Sequence, residues 1–324
     1  MNTCDDPPAT TIHKTQTMTS SPSGHHRHGR GRLLILAMVA SLSAVVAAQN
    51  SQWGALDCQS SSTAAPPPTS SSFSSNSTFW SNVIALLAEL PSAAAPTGFA
   101  SLSRGNGTDR AFVRGLCRGD TTPAKCATYL QNAAQDIQNN CNSSRRAGIW
   151  YDDGSGVTYP APMFCFVSFA DTNTSTAYED SFQQYSYNNA VASDAETFET
   201  TYNALMSLLA LRVVNGSGSS SATAPMFATG AGLYDPTAAN GTMYALLQCM
   251  RDRTAADCYR CLNDSVALLP SCCYGHRGGL VYRYNCYMRM EIYPFYDLSL
   301  DGPPLVPSFV GERKGDLRNR TACR

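Results

Sequence analysis

Three cysteines recur at a fixed offset, and this repeat constrains the fold more than any other feature of the chain. Adding 132 to Cys117, Cys126 and Cys141 gives Cys249, Cys258 and Cys273. The surrounding text matches too. AFVRGLCRGDTTPAKCATYL (111–130) lies over MYALLQCMRDRTAADCYRCL (243–262), with Leu130 on Leu262 and Tyr129 where the second copy has Cys261. Self-similarity at a fixed period marks one structural unit used twice. Upstream, Phe79, Val83, Leu86, Leu87 and Leu90 fall at i, i+4, i+7, i+8 and i+11, as do Phe198, Tyr202, Leu205, Met206 and Leu209. Each set is one apolar face of a helix.

Phe99-Ala100-Ser101 and Phe227-Ala228-Thr229 follow as short strands. Thr122-Pro123 reads as a helix cap with proline at the first helical position. The segments 280–284 and 287–293 read as a hairpin. In it Cys286, Met288, Met290 and Ile292 alternate with Tyr287, Arg289, Glu291 and Tyr293, the period of a half-buried strand. Each copy is therefore expected to be α+β: a disulfide-stapled unit of two helices packed on an antiparallel sheet. Residues 59–75 and 214–224 read as low-complexity loops. The expected division is an N-terminal extension and signal peptide at 1–48, a first repeat at 49–172 with an insertion at 154–164, a linker at 173–184, a second repeat at 185–296 and a disordered tail at 297–324.

Residues 25–32 (HHRHGRGR) precede an apolar run at 33–48 that ends in small residues, the pattern of a secretory signal cleaved near Ala48–Gln49. A membrane anchor is the alternative, but a span needs about 20 apolar residues. Initiation at Met18 would remove the polar start, and Cys4 with it. Thirteen cysteines fit an oxidising compartment. Eight glycosylation signals, at Asn76, Asn106, Asn142, Asn173, Asn215, Asn240, Asn263 and Asn319, agree with an extracellular surface. Cleavage leaves one histidine, His276, which excludes a His-rich metal site. A net charge of −1 argues against nucleic acid as partner.

Chemical motifs are sparse. Cys258-x-x-Cys261 lacks the strand–helix setting of a redox pair. Secretion favours oxidation over zinc for Cys258, Cys261, Cys272, Cys273, His276 and Cys286. Gly278-Gly279 reads as a turn rather than a phosphate cradle, and Asp152-Asp153 as a solvated loop rather than a hydrolytic carboxylate pair. No nucleophile–base set emerges. The expectation is a protein that is not an enzyme and has no cofactor.

The Cys-x8-Cys-x2-Cys pattern at Cys249, Cys258 and Cys261, set in a tandem repeat with LLPSCCYGHRGGLVYRYNC and EIYPFY, resembles the plant cysteine-rich secreted repeat family. Its units are called ginkbilobin-homologous, or salt-stress-response/antifungal, domains. LCRGD in the first copy and FATG in the second are similar to the family as well. The family includes secreted two-repeat proteins, receptor-like kinase ectodomains and plasmodesmata-located proteins. The resemblance implies disulfides Cys58–Cys141 and Cys117–Cys126 in the first copy, and Cys249–Cys258 and Cys261–Cys286 in the second. It leaves Cys165, Cys272, Cys273 and Cys323 to pair across repeats, link two molecules or stay free.

A mannose-binding antifungal member implies a sugar site of Asn, Arg and Glu. Those positions fall on Gln59, Tyr159 and Ala170 in the first copy, where none matches. In the second, the Arg position is Leu280 and only Glu291 matches. Glu291 with Tyr282, Tyr284 and Tyr287 is thus the expected ligand surface, although Glu291 has Arg289 and Arg283 as alternative partners. The resulting expectation is a secreted, apoplastic, non-enzymatic binding module in plant stress or defence, with cell-wall or microbial glycan as ligand and no membrane span after cleavage. The alternative is a protein-interaction module that meets another extracellular receptor-like protein.

Overall fold

The computed structural model describes residues 53–59, 77–154, 163–216 and 226–302. The expected signal peptide, most of the two low-complexity loops, Cys323 and the sequons at Asn76 and Asn319 lie outside them. Both repeats belong to one compact unit, Ser51–Arg324.

The first copy runs β1 (Trp53–Gln59), α1 (Thr78–Ala94), β2 (Phe99–Arg104), β3 (Ala111–Cys117), α2 (Pro123–Asn140), β4 (Arg146–Tyr151) and β5 (Cys165–Ala170). A short α3 (Ala177–Ser181) leads into the second: β6 (Gln184–Tyr187), α4 (Ala195–Val214), β7 (Phe227–Leu233), β8 (Thr242–Cys249), α5 (Ala255–Cys273), β9 (Gly278–Tyr282) and β10 (Cys286–Glu291). The antiparallel sheets have the same topology, β1-β4-β5-β3-β2 and β6-β9-β10-β8-β7. The chain is α+β, two tandem units.

The helices start where polar caps allow. Ser77, Thr122, Asp194 and Thr254 each accept a hydrogen bond from a backbone N–H of the first turn of α1, α2, α4 and α5. Gly275, at φ +73°, follows the end of α5 in the left-handed region that glycine enters freely. Each helix pair covers one face of its sheet. Phe79, Val83, Leu86, Leu87 and Leu90 are buried in the first core, and Phe198, Tyr202, Leu205, Met206 and Leu209 in the second.

Disulfides join Cys58 to Cys141, Cys117 to Cys126, Cys249 to Cys258, Cys261 to Cys286 and Cys272 to Cys273. Cys165 is buried and unbonded. It faces Cys117 across β3–β5, just as Cys286 faces Cys249 across β8–β10, so it occupies the place of Cys286. Its missing partner is Tyr129, whose ring stacks on Phe164 at 4.9 Å. Burial and Asp153 push the Tyr129 hydroxyl up to about 12. Tyr129→Cys is therefore expected to close a bridge to Cys165. That bridge would contribute about 3 kcal/mol by loop closure, reduced by the lost ring packing. Loss of the buried thiol on titration in denaturant, together with a higher unfolding midpoint, checks it.

Three readings need correction. Gly278-Gly279 is not a turn but the start of β9. Asp152 is not in a solvated loop: it is buried and accepts from the Gly154 N–H at 3.0 Å. The tail does not lose order at 297: Leu298–Leu300 form a 3-10 turn, and the Tyr296 hydroxyl donates to Gly230 O at 2.9 Å. The linker holds α3, whose Thr176 and Glu179 form a reciprocal capping box. The six described sequon asparagines are all exposed.

Candidate functional site

The helix-free faces of the two sheets pack against each other. Leu116, Trp150 and Phe166 of the first copy meet Leu280, Tyr282 and Tyr284 of the second in one buried cluster. Trp150 is the centre, with Phe166, Phe182, Tyr282 and Tyr284 rings 4.7–5.4 Å away. Gly148 makes this approach possible, since a Cβ there would stand 2.9 Å from the Tyr284 ring. The Tyr284 hydroxyl donates to Asp57 Oδ2 at 2.6 Å, and Tyr178 donates to the same carboxylate at 2.9 Å. Burial, then Asp57, raises both phenols. On the flank, Gln248 donates to Cys117 O at 2.9 Å.

This corrects the expected ligand surface. Tyr282 and Tyr284 are buried by the first copy, and Tyr287 is half-buried beside Phe295 and the first-copy turn. Glu291 is fully buried and paired with Arg289 at 3.0 Å, while Arg283 turns to Gln183 and Ser265. Gly278 leaves room for the carboxylate: a Cβ there would lie 2.1 Å from Glu291 Oε2. Arg289 also lies 4.6 Å from the Phe295 ring centre and donates to Tyr293. The alternation of β10 is real. Its polar face is covered by the other copy and by the segment after β10, so the strand is buried on both sides. The mannose-type positions offer no open site at Glu291.

What the seam leaves open is a polar cleft of about 230 Å³, lined by α3, α5 and the β9–β10 turn. Glu179, in its lining, belongs to an ion network that reaches into the first copy. Arg146 contacts Glu179 at 2.6 Å, and Arg114 reaches Glu179 at 3.8 Å and Asp252 at 3.4 Å. Burial pushes Asp252 up, but Arg114 and Arg253 together hold its carboxyl below the usual range. Arg253 donates to Ser175, Ser175 to Asn285, and Asn285 to Asp180, tying the linker to the second copy. The rim carries exposed Arg260 and Asp264 and half-buried Asp257 of α5. None of these rim residues stands out in the sequence. The linker's part was visible only as the Thr176-x-x-Glu179 capping signature. Among the described residues no group of His, Cys, Asp and Glu is arranged to hold a metal ion, and no helix is long and apolar enough to cross a membrane.

Comparison with known proteins places this architecture. The family model for salt stress response/antifungal domains matches residues 58–172 and again 182–293. Cysteine-rich repeat secretory protein 38 of Arabidopsis thaliana is 31% identical over 223 residues, covering 69% of this chain and 81% of that protein. An antimicrobial ginkbilobin-2-like protein of Castanea crenata is 30% identical over 225 residues, covering 69% and 85%. The tandem DUF26 ectodomain of the Arabidopsis thaliana cysteine-rich receptor-like protein PDLP8 superposes with a TM-score of 0.56 at 18% identity, over 74% of this chain and 97% of that one, a likeness of fold. The secretory relatives assign the chain to the secreted proteins. With both copies matched, the chain belongs to the salt stress response/antifungal family as a tandem, disulfide-stapled member.

Proposed function

We propose that the chain is a non-catalytic extracellular recognition module of plant stress or defence whose ligand is a cell-wall or microbial carbohydrate held in the cleft between the linker and the second copy. The observation that carries this reading is the lining of the cleft. Carboxylates, guanidiniums and an amide from the linker and the second copy converge on one space large enough for a monosaccharide-sized group. Sugar hydroxyls both donate and accept, so carboxylate acceptors beside guanidinium donors match them in pairs. The network holds these groups before ligand arrives, which lowers the ordering cost of binding.

A second reading, docking of an extracellular receptor-like protein, is favoured by a separate surface. Tyr185 and Tyr187 on the edge strand β6 are exposed, with their rings stacked at 6.5 Å, beside exposed Val191 and Tyr274. The solved tandem ectodomains come from receptor-like proteins, which agrees with such a role.

The test is a glycan array probed with the secreted, glycosylated chain and with Asp264→Ala and Tyr185→Ala variants. Asp264→Ala is expected to weaken binding about tenfold or more through loss of a charged hydrogen-bond acceptor, and Tyr185→Ala to leave it unchanged. Binding to no sugar would sink the carbohydrate reading and leave β6 as the surface to pursue.

A further inference from the structure

The adjacent cysteines Cys272 and Cys273 differ from the other bridged pairs in what they do for the fold. The other four disulfides close loops with sequence separations of 83, 9, 9 and 25, whereas this one has a separation of 1. A bridge stabilises mainly by restricting the unfolded chain, and the restriction grows with loop length. The neighbouring pair therefore contributes least to stability. It also ties no second element to α5. In the first copy Cys141 fastens the end of α2 to Cys58 on β1. In the second, the β6 position paired with Gly279, as Cys58 is paired with Ala147, is Tyr187, whose ring meets His276 at 4.8 Å. Cys272 is the one exposed cysteine among the described residues, while Cys273 is buried. Cys273 lines a small cavity with Tyr187, Glu199 and His276.

We propose that Cys272–Cys273 is a thiol–disulfide exchange site for small thiols, separable from the structural bridges. An external thiolate attacks Sγ of Cys272, forms a mixed disulfide there and expels Cys273 as thiolate into the cavity. A second small thiol then attacks the mixed disulfide. This expels Cys272 as thiolate, the two small thiols leave as their own disulfide, and the protein keeps two thiols once Cys272 and Cys273 have each taken a proton from solvent. The fold survives because no element depends on the bond.

The test uses the secreted full-length chain under native conditions. It is exposed to graded reduced glutathione, blocked with N-ethylmaleimide and mapped by peptide mass spectrometry. Cys272 and Cys273 are expected to be labelled about tenfold faster than any other bridged cysteine, with the thermal midpoint nearly unchanged. Cys165 stays unlabelled until the protein unfolds, which reports that the fold is intact. A Cys273→Ser variant is expected to trap glutathione on Cys272. Simultaneous reduction of all bridges, or a non-reduced peptide joining Cys272 or Cys273 to another cysteine such as Cys323, would overturn the proposal.

Discussion

Trp150→Ala is expected to cost about 3–5 kcal/mol and to split a single unfolding transition into two. Trp150 is 2% exposed and touches four aromatic rings, two of them from the second copy. Removing the indole leaves a cavity at the point where the helix-free faces meet. Each copy keeps its own core on the opposite face of its sheet, so loss falls on the coupling between copies rather than on either copy alone. Urea denaturation followed by tyrosine fluorescence and by circular dichroism is the measurement. One coincident transition with a midpoint close to the parent's would show that the seam is not where the copies gain their joint stability.

Glu291→Ala carries the second large effect, about 3–5 kcal/mol, because it leaves the Arg289 guanidinium buried without its carboxylate. Glu291→Gln is milder, since the amide still offers an oxygen to Arg289. The pair also makes stability depend on pH. Burial pushes Glu291 up to about 7 against the pull of Arg289 and Tyr293. An acid whose folded pKa lies above its unfolded value binds its proton more tightly when folded. Its contribution is fully present below the unfolded value of about 4.5 and is lost as pH rises through about 7. Stability attributable to this group thus falls across that window, and Glu291→Gln flattens the fall. Thermal midpoints of parent and variant, measured from about pH 4 to pH 8, compare the two slopes. Parallel curves would mean that Glu291 stays ionised throughout.

The helices, their buried faces and the cysteine-bearing strands were legible because each announces itself locally, by period, cap or spacing. The repeat then doubled every signal. The seam was not legible for a physical reason. The alternation of Tyr287, Arg289 and Glu291 shows that one face of β10 is chemically different, but not what covers it. A polar face of this kind suits solvent and an ion pair under a second domain equally well. Tyr282 and Tyr284 were readable as aromatic and strand-borne, yet whether they meet water or Trp150 depends on how the two copies dock. The cleft was hidden likewise, since Glu179, Arg253 and Asn285 gain their meaning only from one another. Cys272 and Cys273 both sit in the last turn of α5, and spacing does not reveal that they bond to each other.

The hydrogen bond from Tyr284 to Asp57 spans 227 positions of the chain, and this sets an order of events during biosynthesis. Asp57 is among the first residues of the folded unit to leave the ribosome, and Tyr284 among the last. The first copy can complete its own core and its two bridges long before its second face has anything to meet. Through that interval Trp150 and Phe166 stand in water, an apolar patch of the kind that chaperones hold and that draws nascent chains together. Closing the seam is then the final step of maturation, and a ribosome that stalls before residue 284 releases a chain that is well folded within its first repeat and still adhesive.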